Sequence, residues 1–125
     1  MKEDKIQQQI ISYLSAMAGR YNFIFFAPMN EMASMILNKF RVPQKTVFMI
    51  TSWMRKMGFL PGVSDLIIGH KGKMFAMELK TATGKQSKGQ LLFEKNCQKT
   101  GIPYEVVRSL DGAINCMRLW GIISK

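Results

Sequence analysis

The chain lacks most of the residues from which small catalytic and metal sites are built. Its cysteines are Cys97 and Cys116 alone, and His70 is its one histidine. Neither thiol falls in a C-x-x-C pair or a Cys/His cluster, which argues against a zinc site of the usual kind. The same scarcity leaves no Ser/His/Asp or Cys/His arrangement, and no glycine loop suits a nucleotide phosphate. No apolar run approaches the ~18 residues of a membrane span. The stretch from Met1 to Gln9 is polar and charged, unlike a signal peptide. The thiols are expected to be reduced and buried, as in a cytosolic protein.

Acidic residues are scarce too. There are 8 Asp+Glu against 18 Lys+Arg, a formal net charge of +10. From Met32 to Ser64 no carboxylate occurs, while Lys39, Arg41, Lys45, Arg55 and Lys56 all fall inside. That asymmetry predicts one positively charged surface and a polyanionic partner, nucleic acid first of all. A basic surface that binds nothing is the plain alternative.

What remains is an ordinary globular composition, 47% hydrophobic and 21% charged over 125 residues. That length suits a single domain over residues 1–125, with a core that needs no disulfide. The 11 methionines are scattered and read as core filler. Ile6, Ile10, Tyr13, Leu14 and Met17 recur at helical spacing, predicting a helix from Glu3 to about Ala18 with Gly19 as its stop. Phe23 to Ala27 reads as a strand, residues 30–42 as a short helix or a loop, and Gln44 to Met57 as a helix with Val47, Ile50 and Met54 on one side. Asp65 to Gly69 and Lys73 to Thr81 read as an antiparallel hairpin around His70-Lys71-Gly72, with His70 a solvated turn residue. A helix from Ser87 to Thr100 follows, with Leu91, Leu92 and Cys97 turned inward and Gly101 as terminator. Tyr104 to Arg108 is the last strand, and Asp111 is a candidate cap for a final helix through Leu119. The expected fold is one mixed α/β domain.

Chemistry concentrates at Asp65 and at Glu78-Leu79-Lys80. Strand side chains alternate, so Glu78 and Lys80 share a face and Leu79 enters the core. In the predicted hairpin, Asp65 comes beside Glu78. Two neighbouring carboxylates repel and are costly to desolvate unless a cation joins them. A hard divalent ion, Mg²⁺ or Mn²⁺, fits that donor set, with the Leu79 carbonyl as a further ligand. Such an ion would polarise a phosphodiester, while Lys80 would orient water or offset developing charge. The plain alternative is a surface pair with Asp65 as a turn residue. The apolar flanks Leu66-Ile67-Ile68 and Met74-Phe75-Ala76-Met77 weigh against it, because they mark buried strands.

Pro61-Gly62-Val63-Ser64-Asp65-Leu66, then Met77-Glu78-Leu79-Lys80-Thr81, then Ser87-Lys88-Gly89-Gln90 resembles the VRR-NUC (virus-type replication-repair nuclease) domain of the PD-(D/E)XK nuclease superfamily, in its stand-alone, phage-type form. The resemblance covers roughly residues 3 to 118. It implies a restriction-endonuclease-like core, with a mixed central sheet flanked by helices. It also implies Asp65 and Glu78 as metal ligands and Lys80 as the catalytic lysine, with Gln90 beside the active site. Ser87-x-x-Gln90 is at the same time a capping box, which gives Gln90 a structural role compatible with that one. Glu3 matches the acidic residue that opens the family's first helix and would approach the metal through water; a first-turn carboxylate favoured by the helix dipole is the alternative. Asn30 resembles a polar position between the family's first strand and its basic helix.

The resemblance further implies a homodimeric resolvase of branched DNA, four-way (Holliday) junctions above all, resident in the cytoplasm (of a bacterial host if the source is viral). Two-fold symmetry suits paired cuts. The segment from Phe23 to Phe48 is a candidate dimer surface. Lys39, Arg41, Lys45, Arg55, Lys56, Lys85 and Lys88 are the candidate DNA contacts, with Lys71, Lys73, Lys95 and Lys99 clustering in sequence around the motif. Contacts of this kind read backbone shape rather than base sequence. A flap or single-strand nuclease, and a basic DNA-binding module without catalysis, remain as alternatives.

Overall fold

The computed structural model describes residues 2–29 and 32–124. Asn30 lies outside the described residues. In chain order the elements are α1 (Glu3–Tyr21), β1 (Phe23–Phe26), α2 (Met32–Lys39), α3 (Gln44–Lys56), β2 (Leu66–His70), β3 (Lys73–Leu79), α4 (Lys88–Thr100), β4 (Tyr104–Val107) and α5 (Leu110–Leu119).

The apolar runs of β2 and β3 make them the central strands of a four-stranded sheet ordered β1-β2-β3-β4. β1 and β3 both pair antiparallel with β2, and β4 joins β3 in parallel, so the sheet is mixed. The β2–β3 turn is Lys71-Gly72, with φ of 50° and 74°. Two successive left-handed residues give the tight turn whose twist suits a hairpin. His70 is therefore the last residue of β2 and not part of the turn. It pairs with Phe23 and Lys73, and its Nδ1 lies 3.2 Å from the Asn22 carbonyl oxygen.

Alternation along β3 sorts the two faces. Phe75, Met77 and Leu79 join Ile6, Ile10 and Leu14 of α1 and Ala113, Cys116 and Met117 of α5 in the larger core. Ala76 faces the other way, with Ile67 of β2 and Phe93 and Cys97 of α4. The sheet is thus sandwiched between α1 and α5 on one face and α4 on the other. Each fully buried Leu, Ile or Met contributes roughly 1.5–3 kcal/mol of hydrophobic stabilisation. Both cysteines are free and buried. Among the described residues, no helix is long and apolar enough to cross a membrane.

Helix α1 runs through Gly19 to Tyr21 and ends on Asn22, whose φ is 56°. Ala18 and Tyr21 still pack on the core, which outweighs the modest helix cost of one glycine. Residues 32–39 form a helix, so the loop alternative for this stretch falls away. Helix α5 is capped by Ser109, whose Oγ accepts the Gly112 N–H at 3.0 Å. Asp111 is in the first turn instead, where its charge suits the helix dipole. Leu91 and Leu92 do not turn inward; they are 50% and 60% exposed. Helix α4 is seated by Gln90, Phe93 and Cys97, spaced three and four apart, and that roll leaves the two leucines outside.

Helices α2 and α3 pack on each other. Among the described residues, no other helix or strand touches them beyond slight contact. They form a helical hairpin, and residues 57–64 lead from it to Asp65.

Candidate active site

The site is built at the end of the two central strands. The pairing of Leu66 with Met77 brings Asp65, one residue before β2, across from Glu78. Asp65 Oδ2 accepts the Leu79 N–H at 2.8 Å. The Lys80 N–H goes the other way, to the Val107 carbonyl oxygen at 3.0 Å. N–H and C=O of one strand residue point to the same edge, so the Leu79 carbonyl faces the Asp65 side. Side-chain alternation puts Glu78 and Lys80 on the α4 face, with Leu79 buried in the core opposite.

Glu78 is fully buried. Burial pushes its carboxyl up to about 10; a hydrogen bond with Asp65 and the Asp65 charge push the same way, and the Lys80 charge opposes them. The Glu78 carboxyl therefore keeps its proton at neutral pH. Glu3 converges on the same place from the first turn of α1. Its carboxyl is raised by burial, lowered by Lys80 and raised again by Asp65, so its charge couples to both.

Gln90 comes from α4. Its backbone N–H donates to Ser87 Oγ at 3.2 Å, and its Oε1 accepts the Ser87 N–H at 2.8 Å, which completes the capping box. The remaining end of the amide, Nε2, donates to Glu78 Oε1 at 3.3 Å. Capping and contact with the centre are one geometry. The loop before Asp65 and the start of α4 are held together by Gly62 and Gly89, whose backbones approach so closely that a Cβ on Gly62 would overlap the Gly89 carbonyl.

Three contributors have no local signature in the sequence. The Tyr104 hydroxyl donates to Glu78 Oε2 at 3.5 Å, and burial with the nearby Glu78 charge raises its pKa. Gln86 Nε2 donates to the Tyr104 hydroxyl at 3.1 Å and to Glu94 Oε1 at 3.2 Å. Arg108 Nη1 donates to the Thr81 and Gly84 carbonyls at 2.7 and 2.8 Å, fastening the loop that follows Lys80. Strand alternation put Tyr104 on one of two faces; only the register with β3 chooses the Glu78 face.

The candidate DNA contacts divide into groups. Lys85 and Lys88 are exposed and flank Gln90 at the start of α4. Arg55 lines a cavity of about 170 Å³ with Pro61, at the end of the α2–α3 hairpin nearest Gly62. Lys56 is its exposed neighbour on α3. Lys39, Arg41 and Lys45 sit at the other end of α3, about 15 Å along the helix. Lys71 and Lys73 are at the turn end of the β2–β3 hairpin and do not border the site.

Asp65 and Glu78 are hard oxygen donors side by side, and the Leu79 carbonyl faces the same edge, a set that would suit Mg²⁺ or Mn²⁺ completed by water. The buried Glu78 carboxyl beside Asp65 is the feature that a divalent ion would relieve. Among the described residues no group of three or more His, Cys, Asp or Glu forms a ready metal cage. No protein-family model matches the chain, and neither a curated protein nor a solved structure matches it.

Proposed function

We propose that this protein is a divalent-metal-dependent nuclease that hydrolyses phosphodiesters in DNA, with Asp65, Glu78, Lys80 and Gln90 as its centre. The observation that carries the reading is the buried Asp65–Glu78 carboxyl pair, with Lys80 on the same face and the Leu79 carbonyl alongside. The motif residues that resemble the VRR-NUC domain support it, as does the net charge of +10. On this reading the α/β sheet is a restriction-endonuclease-like core.

Asp65 and Glu78 would hold Mg²⁺ or Mn²⁺ with the Leu79 carbonyl, and the ion would supply an activated water and charge neutralisation at the scissile phosphate. Asp65 is kept in place by the Leu79 N–H, and Glu78 by Gln90 and Tyr104. Lys80 carries a compact positive charge to the face where the phosphate would lie and offsets the charge that grows in the transition state. Arg108 steadies the turn behind Lys80. Lys85, Lys88, Arg55 and Lys56 would take flanking phosphates.

The finer reading is a homodimeric, structure-selective endonuclease for branched DNA, above all four-way junctions. A panel of junction, flap, splayed and linear DNA, cut in Mg²⁺ or Mn²⁺ alongside sedimentation, tests it. Preferential, symmetric cutting of the junction by a dimer is expected. Equal degradation of all four by a monomer would leave the nuclease and remove the resolvase.

One observation favours a second reading. Asp65 ends the β2–β3 ladder by accepting the Leu79 N–H, a task that needs no metal. The chain would then be a basic DNA-binding module. A wild-type protein that binds DNA but cuts none of the panel in either metal would support that reading.

A further inference from the structure

The α2–α3 hairpin leaves Phe40, Phe48 and Trp53 uncovered, at 75%, 71% and 59% exposure. Val47 is the buried side of α3, so the helix faces inward there and presents the opposite side to solvent. Lys45, Phe48, Trp53 and Lys56 are all exposed; the two rings, five residues apart, stand about 140° apart around the helix and flank that outer face, with Lys45 and Lys56 between them. The face from Lys45 to Lys56 is about 16 Å long, the span of four or five nucleotides of a stacked strand.

Charge decides the occupant. From Met32 to Ser64 the chain has no carboxylate, so nothing on the hairpin sequence repels phosphate. A second copy laid on the same face would set like charges against each other without a counter-charge. Position points the same way. Arg55 and Pro61 line one groove, and Pro61 opens the segment that carries Gly62 and Asp65. Exposed aromatic rings beside cations are the means by which proteins hold unpaired strands, since every base offers a face to stack and every nucleotide a phosphate. Paired bases in a duplex offer no such face.

We infer that the α2–α3 hairpin is a binding surface for unpaired nucleotides of a DNA strand, with Phe48 and Trp53 stacking on bases and Lys45, Arg55 and Lys56 meeting phosphates. The inference rests on the nuclease reading for the role of the surface, and it deepens that reading by naming unpaired bases as what the substrate must present.

The test uses the whole, metal-free protein, so that cleavage plays no part. Anisotropy of end-labelled oligothymidylate and of a blunt duplex of equal length gives the affinity of every variant, wild-type tryptophan emission is followed alongside, and co-sedimentation reads binding to phosphatidylserine-containing vesicles. The oligothymidylate is expected to quench the emission and to bind best. The doubly substituted Phe48→Ala/Trp53→Ala protein should lose roughly ten- to hundred-fold of that affinity. Its duplex affinity and salt dependence should stay unchanged, and Trp53→Phe should retain most of the binding. Replacing Lys45, Arg55 and Lys56 by Ala should flatten the salt dependence by about one unit per residue for both DNAs. Unchanged oligothymidylate affinity in Phe48→Ala/Trp53→Ala overturns the inference. So does tighter binding to vesicles, or a wild-type dimer that this double substitution dissociates, because a second copy would then own the face. Failure here leaves the proposed metal centre standing, and a protein that binds the single strand but never cuts leaves this surface standing.

Discussion

The Gln90 amide reaches Glu78 Oε1 at 3.3 Å while its oxygen is held by the Ser87 N–H at 2.8 Å. The start of α4 is thereby tied to the most deeply buried carboxyl of the site. Two substitutions separate the roles. Ser87→Ala removes the hydroxyl that accepts the Gln90 N–H but keeps the backbone bond that aims the side chain. Gln90→Ala removes the half of the box that holds the Ser87 N–H together with the contact to Glu78, and leaves the Ser87 hydroxyl on the backbone N–H of residue 90. Each is expected to lower stability by about 1 kcal/mol, the usual cost of a lost cap. Single-turnover cleavage should fall at least ten-fold in Gln90→Ala and little in Ser87→Ala. Equal activities at equal melting temperatures would reduce Gln90 to a helix cap.

The Glu78 carboxyl ordinarily titrates at 4.5 and is pushed up to about 10 by burial and by Asp65. Between these values the folded chain holds a proton that the unfolded chain has released. Stability from this group is therefore fully present below about 4.5 and is lost as pH rises toward 10. The metal-free protein should melt at lower temperature as pH climbs through that window, and Glu78→Gln should flatten the slope. Mg²⁺ or Mn²⁺ should raise the wild-type melting temperature and leave Glu78→Gln nearly unmoved, since a bound ion displaces the proton. Differential scanning fluorimetry across pH reads both effects; parallel pH curves for the two proteins would contradict the account.

Lys80 shares the α4 face with Glu78 and is half-buried, so its charge is poorly replaced by solvent. Lys80→Met is expected to lower cleavage by roughly 10²–10³-fold, the range for losing one electrostatic contact to a transition state. DNA affinity should change only a few-fold. Lys80→Arg should restore little, because a planar guanidinium does not reproduce a compact ammonium. A gel-shift alongside single-turnover rates separates the two quantities, and a loss confined to binding would remove Lys80 from the chemistry.

Gly62→Ala would drive a methyl group into the Gly89 carbonyl. Backbone on both sides has no rotamer to give, so the cost is expected near the upper part of the ~1–3 kcal/mol range for overpacking. The displaced α4 start would carry Gln90 away from Glu78, and cleavage should fall with stability. Chemical denaturation with a wild-type-like melting curve would show that the contact relaxes freely.

Much of the site was readable as a sequence because it depends on local rules. Alternation paired Glu78 with Lys80, the short Lys71-Gly72 turn fixed the hairpin register that delivers Asp65, and Ser87-x-x-Gln90 announced its own cap. Gln86 escaped because its partner is Tyr104, and Tyr104 and Arg108 because they arrive through the parallel β3–β4 pairing. Its register is set by the whole excursion through α4 and by no short pattern. The roll of α4 escaped for a similar reason: Leu91 and Leu92 fit an inward face as well as Phe93 does, until the Gly62–Gly89 contact fixes which side meets the sheet. Residues 30–42 stayed ambiguous because Met35, Ile36 and Phe40 are apolar yet exposed, so the periodicity that marks a core-facing helix is blurred.

A hairpin that touches no other helix or strand beyond slight contact can also open separately. Its buried residues, Ala33 and Val47, belong to neither core of the sheet. Amides of α2 and α3 should therefore exchange with solvent through partial unfolding, well below the free energy that protects β2 and β3. On the proposed reading, the surface that meets the strand is thereby built on a unit whose opening need not disturb the carboxyl pair.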